Sequence, residues 1–468
     1  MKKNRFKPIL FVLLIVTLVI ISCSTKTGYQ GETYKHLKAY IDQIKVINTH
    51  EHQQLIPEPE REKVNVFTLI KKSYLYADLI SAGSPRLDNE LIAEGDFEKL
   101  WDKYGQYLDF TRDTSYYRHL VDGFRILYGF NEIYFTKDNI KELSLLVRRN
   151  YLNFDEWYDQ AFQKANFELM FIDPWWDQFK TDSFYKHFVM AMRLDQYINS
   201  ISERSQLEKA DADTSNNPFY QAKKENYEIR TLKDYLAFAD QWFQKFVAKK
   251  AVCAKTANAY ERTIYYEDVP LKEAESLFAK PSDKLTPDQK KRLQDFMFHW
   301  CIQKCAEYDL PIQIHTGYLA GNRNTLEKGK PMKLNNIFLK YREAKFSLFH
   351  GGYPWYTEIG ALAKSFPNVY IDIVWLPQIS REAAVDALHQ WLDCTPYNKF
   401  FWGGDCSIIE GSVGAVEYGR DVLAQVLAER VDAGRMSVEL AEEVAVKVLR
   451  ENAIRFFKLE EKLGRKFD

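Results

Sequence analysis

The chain has 468 residues, 46% hydrophobic and 15% aromatic, which suits one large barrel with insertions or two ordinary domains and argues against intrinsic disorder. Lys and Arg number 64 against 65 Asp and Glu, so there is no overall basic field to attract phosphate backbones, and nucleic acid is not an expected partner.

Lys2, Lys3, Arg5 and Lys7 form a cationic head before the apolar run FVLLIVTLVI at 11–20. A spanning helix needs roughly 20 apolar residues. Here the run breaks at Ser22-Cys23-Ser24 and turns polar, so residues 1–22 read as an export signal. Its end, Ile20-Ile21-Ser22-Cys23, resembles the bacterial lipobox. The expectation is a mature chain that begins at a lipidated Cys23 and is anchored to a bacterial membrane on the exported side, with 23–44 as tether and leading helix. Cys253, Cys301, Cys305, Cys394 and Cys406 are odd in number and unpatterned, which leaves at least one thiol free. Cys301 and Cys305 lie four apart in a helical pattern and share a packing face.

From residue 45 onward, short runs rich in Val, Ile and Phe alternate with longer helical patterns, the signature of parallel strands. Strands are predicted at 46–50, 168–172, 188–194, 251–256, 311–315, 346–350, 369–374 and 400–404. Their number is that of a closed parallel barrel, about eight, so the fold class is α/β, a (β/α)8 TIM barrel. An open doubly wound sheet is the rival, weakened because no Gly-rich phosphate turn follows the first strand. Residues 53–166 carry helical patterning and are expected to form an insertion over the barrel mouth, while the polar stretch 202–226 is expected to be an exposed loop.

In a parallel barrel the site lies at the C-terminal ends of the strands, so polar residues that end apolar runs need a reason. Strand one ends VINTHEH, where His50 and His52 are two apart and point to one side of an extended chain, able to chelate one cation. The fifth strand ends at His315, the sixth at His350 and the eighth at Asp405. Such a set of histidines and a carboxylate suits a divalent metal with room for water. Glu51, between the two chelating histidines, points to the other side and is expected to be structural.

The segments INTHEH, IQIHTGY, FHGGYP, NVYIDIVW, FFWGGD and VLRENAIRFFKL resemble the amidohydrolase superfamily, especially the amidohydrolase-related branch that includes the hydrolase-like half of FluG-type fusion proteins. The resemblance implies a divalent ion, one Zn2+ or else Mn2+, held by His50, His52, His315 and Asp405, with His350 at the reacting water or carbonyl. Some members of the superfamily carry a carboxylated lysine on strand four that bridges two metals. Lys255 occupies that place, either in this role or as a point charge for a substrate carboxylate, shared with Arg262. The function expected is a hydrolase in which metal-activated water attacks a C–N or C–O bond of a small molecule. The alternatives are a decarboxylase, a uronate-isomerase-like enzyme, and a surface lipoprotein that only binds a ligand.

Overall fold

The computed structural model describes residues 31–183, 185–208 and 216–467. The export-signal and lipobox readings, Cys23 included, lie outside them. Among the described residues no helix is long and apolar enough to cross a membrane.

Eight strands run parallel in sequential order: β1 (Val46–Glu51), β2 (Phe167–Ile172), β3 (Phe188–Arg193), β4 (Cys253–Thr256), β5 (Ile312–Ile314), β6 (Phe346–Leu348), β7 (Val369–Asp372) and β8 (Phe400–Phe401). The ring is closed by backbone hydrogen bonds between β1 and the chain just past β8: Thr49 N to Trp402 O at 3.2 Å, Asp405 N to His50 O at 2.9 Å and His52 N to Cys406 O at 3.0 Å. This is the barrel read from the apolar runs. Nearly every strand residue is buried, as helices covering the sheet require.

Inside the ring, Ile47, Leu169, Phe171, Val189, Ala191, Cys253 and Phe401 form a small core with Phe456 and Phe457 of the C-terminal helices. Two residues further along β1 and β7 come Thr49 and Asp372, joined by a hydrogen bond of 2.7 Å. The barrel thus changes from apolar to polar along its strands, toward their C-terminal ends.

Residues 53–166 fold into helices that include Val66–Lys72, Leu75–Ser81, Phe97–Phe110, Lys137–Leu152 and Phe154–Lys164. Asn65 and Thr136 start two of them with reciprocal capping boxes. A further helix, α1 (Ser115–Tyr128), crosses the long helix α2 (Ile409–Asp432) that follows β8. Their backbones meet at glycine: a Cβ on Gly123 would stand 2.1 Å from Glu410 O, and one on Gly414 would stand 1.7 Å from His119 O. Beside the crossing, the buried Glu410 accepts from Tyr128 at 2.6 Å and Tyr151 at 3.0 Å.

The stretch 202–226 departs from the loop reading. It contains the helices Arg204–Leu207 and Pro218–Lys224, and its most polar part, 209–215, lies outside the described residues. Asn217 accepts from the backbone of Phe219 and Tyr220, and Pro218 fits the first helical position, so the polar and proline residues start a helix here. Cys301 and Cys305 are buried on one side of the helix Pro287–Glu307, and Cys253, Cys301, Cys305, Cys394 and Cys406 are all free thiols.

Candidate metal centre

β1 delivers His50 and His52 to the C-terminal end of the ring. The His52 Nδ1–H donates to the Asp173 carbonyl at 2.9 Å, which in the neutral ring leaves the lone pair on Nε2, and this atom faces His50 Nε2 at 3.3 Å. Asp405 enters from the turn after β8, its Oδ1 lying 3.2 Å from His52 Nε2 and 3.4 Å from His50 Nε2. Among the described residues the buried Oδ1 nonetheless makes no hydrogen bond of proper geometry. The three atoms could hold one ion. Ligands at about 2.0–2.1 Å from a tetrahedral zinc stand roughly 3.3–3.4 Å from one another, so the spacing found here matches an ion's coordination shell.

The turn that presents Asp405 follows from its glycines and its backbone angle. A Cβ on Gly404 would stand 2.2 Å from Glu51 Oε1. The Glu51 carboxyl, buried as the sequence reading had it structural, accepts from Asn48 Nδ2 at 2.6 Å and Cys406 N at 2.5 Å. Asp405 has φ 59, and the residues after β6 and β7 share this left-handed backbone, His350 at φ 63 and Trp375 at φ 64. For a tryptophan this conformation is a genuine outlier, and such strain concentrates at functional sites.

The charge states of His50 and Asp405 suit metal binding, while at His52 burial is outweighed by the Asp405 and Asp173 carboxylates, which raise the ring so that an ion there competes with a proton. Burial, with Lys255 nearby, lowers His50 to about 3, so it stays neutral. Burial would raise Asp405, but the two histidines hold it well below the usual carboxylate range. Lys255 is buried with its ammonium 3.7 Å above the Phe349 ring. Burial lowers it to about 8, against the pull of Asp173 and Asp405. In register with Arg193 of β3 and Gln313 of β5, it lines the same polar end of the ring as the triad.

His315 does not join the triad. Its Nε2 donates to the Tyr318 carbonyl at 2.7 Å, and its Nδ1 faces His350 Nε2 at 2.9 Å. On the far side His350 Nδ1 lies 3.2 Å from the Val374 carbonyl. Four ring nitrogens are thus strung between two carbonyl oxygens, and three contacts need three protons where two neutral imidazoles supply two. Burial lowers His350 to about 3 against the pull of Asp405, and burial with the charges of His350 and Lys255 lowers His315 well below its ordinary value. With both rings neutral and both outer nitrogens donating, two lone pairs face each other.

Arg262, expected to share substrate binding, is turned away. Its guanidinium pairs with Asp295 and donates to the carbonyls of Thr263, Lys291 and Tyr265 at 3.1 Å each. With Gln294 Oε1 at 3.2 Å, these neighbours, close in sequence or on the helix Pro287–Glu307, use up its five donors. Two charged residues at strand ends escaped the sequence reading. Asp173 follows β2, with its Oδ2 3.9 Å from His50 Nε2, and Arg193 ends β3, paired with Asp173 and, at 2.6 Å, with Asp195. Both end apolar runs, FELMFID and FVMAMR, the signal that marked the histidines.

Aromatic side chains surround the site. Tyr74, from the insertion, lies 4.5 Å from Trp375 between ring centroids, and Trp375 lies 5.0 Å from His350. Tyr260 reaches His315 at 4.9 Å.

Residues 234–459 match the amidohydrolase family model. Protein fluG of Emericella nidulans is 32% identical over 160 residues, 34% of this chain, and the match spans only 18% of that protein's length. Among solved structures, uronate isomerase from Thermotoga maritima superposes with TM-score 0.72 at 15% identity, covering 92% of this chain and 100% of that one. Glucuronate isomerase from Caulobacter crescentus gives TM-score 0.72 at 17% identity, over 92% of this chain and 94% of that one. The solved structures share the barrel, and the likeness to the amidohydrolase family lies in 234–459, just under half of the chain.

Proposed function

We propose that the protein is a metal-dependent hydrolase that cleaves a C–N or C–O bond of a small molecule, exported and anchored through Cys23. The observation that carries the reading is the convergence of His50 Nε2, His52 Nε2 and Asp405 Oδ1 at the spacing of one coordination shell. A divalent ion held by His50, His52 and Asp405 would supply Lewis acidity, making a water acidic at neutral pH and polarising a carbonyl. Asp405, ionised and with Oδ2 not needed for the triad, accepts the proton and returns it to the leaving group. His350 Nδ1 stands 3.9 Å from that Oδ2, which sets its ring beside the proton's path. Lys255 meets a substrate carboxylate as a point charge.

The test is metal removal. Chelator-treated protein is expected to lose activity toward a panel of N-acyl compounds, lactones and uronates, and added Zn2+ or Mn2+ to restore it. Activity that survives complete stripping sinks the reading. Turnover confined to the uronate arm turns it toward isomerisation, the reaction named for the two solved structures. A second reading, two ions per chain, is favoured by the facing lone pairs of His315 Nδ1 and His350 Nε2 near Lys255. Elemental analysis decides: about one equivalent is expected, retained in Lys255→Ala, whereas two that fall to one in that variant establish a lysine-dependent pair.

A further inference from the structure

We infer that Tyr74 is a positioning residue for the metal site: reaching in from the helical insertion, its hydroxyl holds the backbone of Asp405 in the left-handed conformation that aims the carboxylate at His50 and His52. This rests on the metal reading above. Tyr74 Oη donates to the Asp405 carbonyl at 2.6 Å, across 331 residues of sequence. The N–H of Asp405 is held by His50 O at 2.9 Å. One polar group of this residue is thus fixed by the strand that carries two ligands, and the other by the insertion. Asp405 has φ 59, a conformation that an aspartate keeps only where its surroundings impose it. Release of the carbonyl lets the peptide turn toward ordinary angles and swings Oδ1 off the triad.

The ring of Tyr74 is fixed in its turn. It lies 4.5 Å from Trp375 and 5.3 Å from Tyr116, which are themselves 6.2 Å apart, so the three rings pack as one cluster. Trp375, itself at φ 64, packs against His350, so one insertion side chain braces two of the strained turns at the mouth.

Two neighbours supply controls. The buried Tyr116 hydroxyl has no hydrogen-bond partner among the described residues, although its ring belongs to the same aromatic cluster. Tyr128 ties the insertion to the barrel through Glu410 at 2.6 Å. Zn2+ affinity is measured by chelator competition on the metal-stripped full-length protein and on Tyr74→Phe, Tyr116→Phe and Tyr128→Phe. Each variant keeps its ring, and near-ultraviolet circular dichroism checks the packing. Tyr74→Phe is expected to bind Zn2+ about tenfold or more weakly, the usual cost of losing a group that orients a metal ligand, with the other two variants within about twofold of wild type. Wild-type affinity in Tyr74→Phe overturns the inference. An equal loss in Tyr128→Phe overturns it as well, because insertion docking in general would then be the cause. A wild-type protein that takes up no Zn2+ removes the metal reading itself, and this inference with it.

Discussion

Asp405 and Lys255 flank the same site with opposite charge, and substituting each should leave a different kinetic trace. Asp405→Asn keeps the volume and one ligand oxygen but removes the proton acceptor. Its kcat is expected to fall by about 10²–10⁴-fold while KM changes little. Unchanged turnover would remove the hydrolytic mechanism whatever the metal content. Lys255→Ala deletes only a point charge aimed at substrate, so KM should rise with kcat far less affected. The two variants assayed side by side separate chemistry from binding. A Lys255→Ala enzyme that loses kcat and metal together assigns the lysine to the ion instead.

At the scale of the elements, the insertion is docked by the crossing of α1 and α2, and that contact exists because Gly123 and Gly414 carry no side chain. Gly414→Ala drives a methyl into the His119 carbonyl, a backbone atom that cannot rotate away. A loss of about 3 kcal/mol or more is expected in urea unfolding, as for severe overpacking, and a loss below about 1 kcal/mol would mean that the helices separate easily. Neither this crossing nor Tyr74 was legible in the sequence, since a glycine-to-carbonyl contact and a hydroxyl bond across hundreds of residues leave no period to read. The eight strands were legible because each is an apolar run ended by polar residues, and that ending pointed to His50, His52 and Asp405. The same rule placed His315 at the right strand end but could not say which way its ring turns, which the Tyr318 carbonyl decides. Arg262 misled because a cation near a strand end looks alike whether it faces a substrate or Asp295.

For the whole molecule, the proposed anchor makes a test of place. Cys23→Ala is expected to move the protein from the membrane fraction to the soluble exported fraction, and labelled fatty acid that never attaches to wild-type protein would refute the tether. Another consequence concerns the order in which the molecule is completed. The seam between β1 and the segment after β8 joins residues near 50 to residues near 405, and the three proposed ligands straddle it, two on one side and one on the other. No earlier stretch of chain can assemble this trio, so the ion cannot be captured until the last strand has found the first. A bound ion acts as a rivet across the seam: any opening that parts β1 from the Asp405 turn must also give up the metal, and the barrel resists such opening in proportion to how tightly the ion is held.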